Sequence, residues 1–405
     1  MRFLTLLIFL TGFANAAHSQ WVIQESNTTA DLRGIHSVGG GVAWASGNHG
    51  IVLRTLDGGH LWHTCAIPGG ADHLDFRGIQ AFDANTAIVM SSGKGDLSRL
   101  YKTTDGCHTW KLVLSNPYAP DGFFDAILFP DSQHGLLFGD PTPLSMKTPV
   151  EYPYDFRLRV TADGGITWGP VSAPDVVPRH PGNGLHATGD ESAFAASNSI
   201  IASRGGWFWF GTSSARVASR RLYGTAAPPD SLFRSAVCAG ARDPVSGECG
   251  QPWMDFRNAQ APINHATPSA GMFSLNFRSV EQGIAVGGDY LKPEDSRGTA
   301  AFTTDGGQHW SAAQTPPHGY RSSVAYDAPT RTWITVGPNG TDISTDDGRN
   351  WRPLLPNPAL NVPPDADRDW NAISLPFVVG PHGRIGKLRP ESLRPYPHPR
   401  VTAHQ

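Results

Sequence analysis

The sequence predicts an all-β protein, a single seven-bladed β-propeller closed by its own N-terminal strand. Three observations carry this. A short turn motif recurs five times, a four-strand pattern recurs around it at a period of roughly 40–50 residues, and one stray strand near the N-terminus completes the last repeat.

The turn motif is Thr/Ser-x-Asp-(Gly/Asp)-Gly-x-x-Trp. It stands at Thr55, Asp57, Gly59 and Trp62; at Thr161, Asp163, Gly165 and Trp168; at Thr303, Asp305, Gly307 and Trp310; and at Ser344, Asp346, Gly348 and Trp351. A fifth copy, Thr103, Asp105 and Trp110, carries Cys107 where the others have glycine. A hairpin turn explains each position. The aspartate accepts backbone N–H groups a few residues on. The glycine supplies a positive φ, and the tryptophan starts the next strand and fills core. These aspartates and tryptophans are therefore read as structural. The motif closely resembles the Asp box, or BNR repeat.

Around each motif, one strand ends with glycine before a third leads into the turn, as in Ala43-Trp44-Ala45-Ser46-Gly47. First strands begin near Leu32, Phe76, Phe124, Ser192, Phe273, Tyr320 and Trp370. The fourth blade has lost its motif and runs into an insertion, about 219–269. The seventh ends at Leu388 without a fourth strand. Trp21-Val22-Ile23-Gln24-Glu25 looks like the segment after a turn motif, and it is expected to close blade seven and remove both open sheet edges. The propeller then spans 21–388, with a loose proline-rich tail at 389–405.

Charged residues make up 17% and hydrophobic residues 39% of the 405, a soluble globular composition. The 45 glycines and 34 prolines suit a turn-dense β fold. A net charge of −3 gives no basic field for nucleic acid, so no nucleic-acid partner is expected. Arg2, the apolar stretch Phe3 to Phe13 and Ala14-Asn15-Ala16 read as a signal peptide over 1–16, or alternatively as a buried strand. No other run approaches the ~20 apolar residues of a membrane helix. An exported chain, in periplasm or medium, is expected to form disulfides. Cys238 and Cys249 are the expected pair, worth about 3 kcal/mol. A Cys65–Cys107 pair follows only by elimination.

Propeller geometry puts the turn motifs on one face. The second-to-third loops and the starts of the inner strands fall on the other, the top face. Aligning those starts gives Arg33, Arg77, Asp125, Ala193, Ser274, Arg321 and Asn371; the top loops add Asp140, Asp289 and Tyr290. Three guanidinium forks converging at the channel mouth suit a carboxylate or other anion. Equally, they could pair with Asp125, Asp140 or Asp289 and tie blades together. The histidines show no metal-ligand spacing, and no dinucleotide fingerprint or serine elbow is present, so neither metal nor cofactor is expected.

The turn motifs, with Phe194-Ala195-Ala196-Ser197 and Gly283 to Pro293, resemble the photosystem II stability/assembly factor-like proteins over about 21–388. That resemblance implies a binding or assembly propeller with a protein partner; some members carry the label oxidoreductase. The motifs also resemble those of sialidases, a likeness that would make Arg33, Arg77 and Arg321 a carboxylate clamp, with Tyr290, Glu294 and Asp125 near it. The expected function is a monomeric, non-catalytic binding propeller engaging a protein or anionic ligand at the top face. The alternative is a glycoside hydrolase acting on exported or extracellular glycan.

Overall fold

The computed structural model describes residues 20–143, 154–170, 186–187, 190–221, 256–356 and 367–393. Their strands form seven antiparallel sheets arranged as a β-propeller. Blade one runs Leu32–Gly39, Val42–Gly47, Val52–Thr55 and His63–Thr64; blade two runs Phe76–Ala81, Ala87–Ser91, Arg99–Thr103 and Lys111–Ser115. Side-chain burial falls from the channel outward. All of Ala87–Ser91 is buried, whereas His63 and Thr64 are exposed.

The core is a ring of clusters lying between blades rather than one central mass. Leu32, Leu53 and Trp62 of blade one pack against Phe377, Val379 and Ile385 of blade seven. Trp44 and Val52 pack against Phe76 and Val89 of blade two, and the pattern continues around the ring. Each sheet buries both faces against its neighbours, which accounts for continuous apolar runs such as Trp207–Gly211 where a half-exposed strand would alternate.

The ring closes as the sequence predicts. Trp21–Gln24 pairs antiparallel with Ile385–Leu388, Trp21 opposite Leu388 and Gln24 opposite Ile385, as the fourth strand of blade seven. Trp21 is fully buried, donates its indole N–H to Thr341 Oγ1 at 3.0 Å and packs 5.9 Å from Trp370.

The five turn motifs share one hydrogen-bond pattern. The Thr55 hydroxyl donates to Asp57 Oδ1 at 2.9 Å and accepts from the Gly59 N–H at 2.9 Å; Asp57 Oδ1 also accepts the Leu61 N–H at 3.0 Å. The same bonds recur at Thr103, Thr161, Thr303 and Ser344. The hydroxyl is thus as much part of the turn as the carboxylate, a role the sequence reading left to the aspartate alone. Gly59 sits at φ 87°, and Cys107 takes the equivalent left-handed position at φ 65°.

That cysteine is bonded to Cys65, so the pair reached only by elimination is present, with Cα atoms 5.4 Å apart. It ties the outer part of blade one to the turn of blade two. Closing a loop of 42 residues is worth about 4 kcal/mol in the chain-entropy picture. Cys238, Cys249 and the 1–16 segment lie outside the described residues.

Three boundaries differ from expectation. The inner strand of blade four is Ile201–Arg204, not a strand from Ser192. Its fourth strand, Arg257–Gln260, pairs with Arg216–Arg221, so the insertion is confined between those two strands and replaces the missing turn motif. The start of the tail is anchored: Arg389 N–H donates to Gln20 O at 3.0 Å and Pro390–Leu393 forms a 3-10 turn.

If the closing strand locks the ring, Trp21→Ala should lower unfolding free energy by about 3–5 kcal/mol, the cost of emptying a buried tryptophan site. Thermal denaturation checks this, and an unchanged melting temperature would contradict it. Asp163→Ala, by contrast, removes the carboxylate that accepts two backbone N–H groups and should cost about 1–2 kcal/mol while leaving any ligand affinity at the opposite face unaltered.

Candidate functional site at the channel mouth

The turn motifs stand beside the first-to-second strand turns: Gly58 N–H bonds Gly41 O, and Gly106 N–H bonds Asn85 O. The starts of the inner strands therefore gather at the other face. There the inner strands carry a recurring single-residue bulge. Register shifts fall between Leu32 and Gly34, Phe76 and Gly78, Phe124 and Ala126, and Met272 and Ser274. The extra residues are Arg33, Arg77, Asp125 and Phe273. A bulge is a device for re-aiming one side chain without disturbing the sheet, and in blades one, two and five it sets Arg33, Arg77 and Phe273 at the mouth.

This register corrects two of the aligned positions. Leu32 N–H reaches back to Gly380 O of blade seven, and Arg321 N–H reaches back to Gly287 O of blade five. Arg321 therefore occupies the position of Leu32, and Ser322 that of Arg33. A one-residue slip turns the side chain to the other side. Arg321 is fully buried, ion-paired with Asp342, and donates to Asn339 Oδ1 at 2.7 Å and Gly340 O at 3.0 Å. It belongs to the interior of blade six, not to the mouth. By the same register, blade five contributes Phe273 rather than Ser274.

In blade four the bulge has grown into a plug. Ser213 N–H bonds Ser192 O and Gly211 N–H bonds Ile200 O, so Phe194–Ser199 fill the place of one residue elsewhere. The segment crosses the channel. Asn198 bonds both backbone groups of Ile127 in blade three, accepting at 2.8 Å and donating at 3.1 Å. Ser197 donates to Ser322 O in blade six at 3.0 Å, and Ser199 to Ser274 Oγ in blade five at 2.7 Å.

Above the plug lies a cavity of about 490 Å³. Ala195 and Ala196 form its floor, and Phe194, Phe273, Tyr290, Tyr320 and Trp370 contribute an aromatic wall. Phe194 and Phe273 stack with centroids 4.0 Å apart, and Tyr320 meets Phe273 edge-on at 4.8 Å. Arg33, Arg77, Asn371 and Asp369 supply the polar lining. Both arginines lean on one carboxylate: Arg77 Nε donates to Asp75 at 2.7 Å, and Arg33 Nε stands 3.5 Å from it. Arg77 also donates to Ala195 O at 3.3 Å, so it braces the plug. Two guanidiniums sharing one carboxylate keep N–H donors beyond those that Asp75 accepts.

Of the eight predicted ligand residues, Arg33, Arg77, Tyr290 and Asn371 line this cavity, and Arg321, Asp125, Asp140 and Asp289 do not. Asp289 is buried and fixes its own loop, accepting from Thr267 Oγ1 and Leu291 N–H. Asp75, the carboxylate that engages the arginines, is none of the three offered as partners. It sits at the residue before an inner strand, a position carrying no sequence signal beyond its two-residue spacing from Arg77.

Asp125, fully buried, stands close enough to the partly buried Asp140 to feel its charge. Burial pushes Asp125 well above the ordinary carboxylate range; the Asp140 charge adds to this and Arg77 opposes it. Neither Asp125 oxygen has a hydrogen-bond partner among the described residues. Burial lifts Asp140 to about 6, against the Ala193 N–H it accepts at 2.8 Å. No cluster of three or more His, Cys, Asp or Glu suited to a metal occurs among the described residues, and no helix there is long and apolar enough to cross a membrane.

No family model and no curated protein matches the chain. Among solved structures, the chain is similar to one described as YCF48 bound to D1 peptide, at 13% identity and a TM-score of 0.57, covering 94% of this chain and 99% of that one. A YCF48 structure from Cyanidioschyzon merolae aligns at 14% identity over 92% and 99% of the two chains, with a TM-score of 0.42. A GH74 xyloglucanase from Xanthomonas campestris aligns at 17% identity over 78% of this chain and 47% of its own, with a TM-score of 0.31. Only the first score carries weight, and at that identity it shows a shared fold: the chain is a YCF48-like propeller in architecture.

A carboxyl with a raised folded-state pKa stabilises the fold fully below its unfolded value, near 3.9, and loses that contribution as pH rises through the folded value. For Asp140 the loss falls between about pH 4 and about pH 6 and beyond. Asp140→Asn keeps an oxygen for the Ala193 N–H, so its melting temperature should match the parent near pH 4 and exceed it by pH 7. A gap that is constant with pH would contradict a partly buried, proton-holding Asp140.

Proposed function

We propose that the chain is an exported peptide-binding propeller that receives an extended segment of a protein partner at the channel mouth. The observation that carries this is the mouth itself: an aromatic wall beside two guanidiniums, above a floor sealed by the Phe194–Ser199 plug. Aromatic rings offer large contact area at low entropic cost, while Arg33, about a third exposed, lines the cavity and meets Asp75 only at 3.5 Å through Nε, which leaves its outer guanidinium N–H groups placed to take a carboxylate. The similar structure described as YCF48 bound to D1 peptide adds support for a peptide ligand. The disulfide between Cys65 and Cys107 accords with an oxidising compartment, and the 1–16 segment with export to it.

A glycoside hydrolase of this form would present two carboxyl groups to its ligand, about 5 Å apart if retaining. Among the described residues lining the cavity the one carboxylate is Asp369; Asp125 and Asp140, both raised, are not part of that lining. The aromatic wall and the guanidiniums support a binding role for the mouth.

Peptides that place an acidic side chain or a C-terminal carboxylate next to an aromatic or aliphatic residue should bind the mature protein, and Arg33→Ala should weaken them about tenfold without shifting the melting temperature. Isothermal titration checks this. Turnover of a fluorogenic glycoside that disappears in Arg33→Ala would instead establish the hydrolase.

A further inference from the structure

Arg33, Arg77 and Phe273 stand on inner-strand bulges and line the mouth, whereas Asp125, on the corresponding bulge of blade three, does not. Its side chain is fully buried, and neither carboxyl oxygen has a hydrogen-bond partner among the described residues. Burying an ionised carboxylate without hydrogen bonds costs far more than burying the neutral acid, so such a group keeps its proton.

The surroundings act on that proton from two sides. Asp140, on the neighbouring strand Gly135–Pro143, repels a second negative charge. Asp140 in turn accepts the Ala193 N–H at 2.8 Å and feels the charge of Lys94. The plug, fastened to blade three where Asn198 meets Ile127, carries no titratable side chain over Phe194–Ser199. The cation that acts on Asp125 is Arg77 of blade two, and Arg77 also lines the mouth. Its Nε donates to Asp75 at 2.7 Å and a terminal N–H to Ala195 O at 3.3 Å. One guanidinium therefore faces the ligand space and a buried acid at once. While Asp125 is neutral, it makes no claim on that charge. Once ionised, it would draw on Arg77 from within the fold, where attraction is weakly screened, and would repel an anion at the mouth.

We propose that Asp125 is a positioning residue that links ligand binding to a proton: protonated, it leaves Arg77 to the anionic group of the ligand, and ionised, it withdraws that charge. This rests on the peptide-binding reading of the mouth. The sign follows from linkage. An anion at Arg77 strengthens the hold of Asp125 on its proton, so affinity is flat while Asp125 stays protonated and falls as pH rises through its titration. Asp140 loses its proton near pH 6, and its charge then delays Asp125 to higher pH.

The test uses two pools of acetylated hexapeptide amides, one with a single glutamate among apolar and aromatic residues, the other with glutamine in its place. Retention on the immobilised mature protein is compared from about pH 5.5 to 9.5, a range in which a peptide glutamate is ionised throughout. The expected result is a preference for the glutamate pool that falls about fivefold with rising pH, a change equivalent to less than one pKa unit of coupling. Asp125→Asn should hold the preference level across the range. Asp140→Asn, which removes the repulsion, should move the fall to lower pH, a shift that a merely structural role for either residue would not produce. Melting temperatures taken at each pH confirm that the variants are folded. A preference independent of pH in the parent, or a fall that persists in Asp125→Asn or stays in place in Asp140→Asn, overturns the proton link and leaves the peptide reading standing. Retention of neither pool at any pH overturns both.

Discussion

Pairing of Trp21–Gln24 with Ile385–Leu388 is the contact on which the rest of the molecule depends. A propeller blade covers its apolar faces only by leaning on two neighbours, so an open ring would leave blades one and seven each with a bare face and a free edge. The closing strand supplies more than hydrogen bonds. Trp21 packs against Trp370, Gln20 reaches Leu354 O in blade six, and Gln24 accepts the indole N–H of Trp62 in blade one. Three blades are thereby tied by residues from one short segment. The same closure sets Trp370, Asn371 and Pro381 against Arg33, and so assembles the mouth from opposite ends of the chain.

Function is placed on this frame by a small backbone device. A one-residue bulge at the start of an inner strand aims Arg33, Arg77 or Phe273 at the ligand space while the flanking residues stay in the sheet. Enlarged in blade four, the same device becomes the plug that gives the cavity a floor. Asp125 shows the other use of the position. Its side chain is buried, has no hydrogen-bond partner among the described residues and sits near Asp140, a cost the fold carries close to its site and nowhere near the turn motifs.

Much of the fold is legible because its repeat is marked by residues that physics restricts tightly. A glycine at positive φ, a carboxylate accepting two backbone donors and a tryptophan filling the gap between blades leave few alternatives at each turn. The closing strand is legible because blade seven lacks one and the chain start resembles one. The site is harder to read. A bulge adds one residue without altering composition, so aligning strand starts by eye places Arg321 at the mouth when it holds the buried position of Leu32. The plug is concealed as a strand because Phe194-Ala195-Ala196-Ser197 is apolar and small, and its only signal is excess length before Ile201. Asp75 is hidden because partner choice between Arg33, Arg77 and the nearby acids is decided by three-dimensional approach.

The account turns on whether the N-terminal segment is an integral strand of the ring, and amide hydrogen exchange followed residue by residue measures that directly. The expected result is that the hydrogen-bonded amides of Trp21–Gln24 exchange only with global unfolding, at the same rate as those of Ile385–Leu388 and the inner strands. Exchange of the segment at free-chain rates, with the seven sheets still protected, would show a ring that closes without it and would leave the mouth without the support described above.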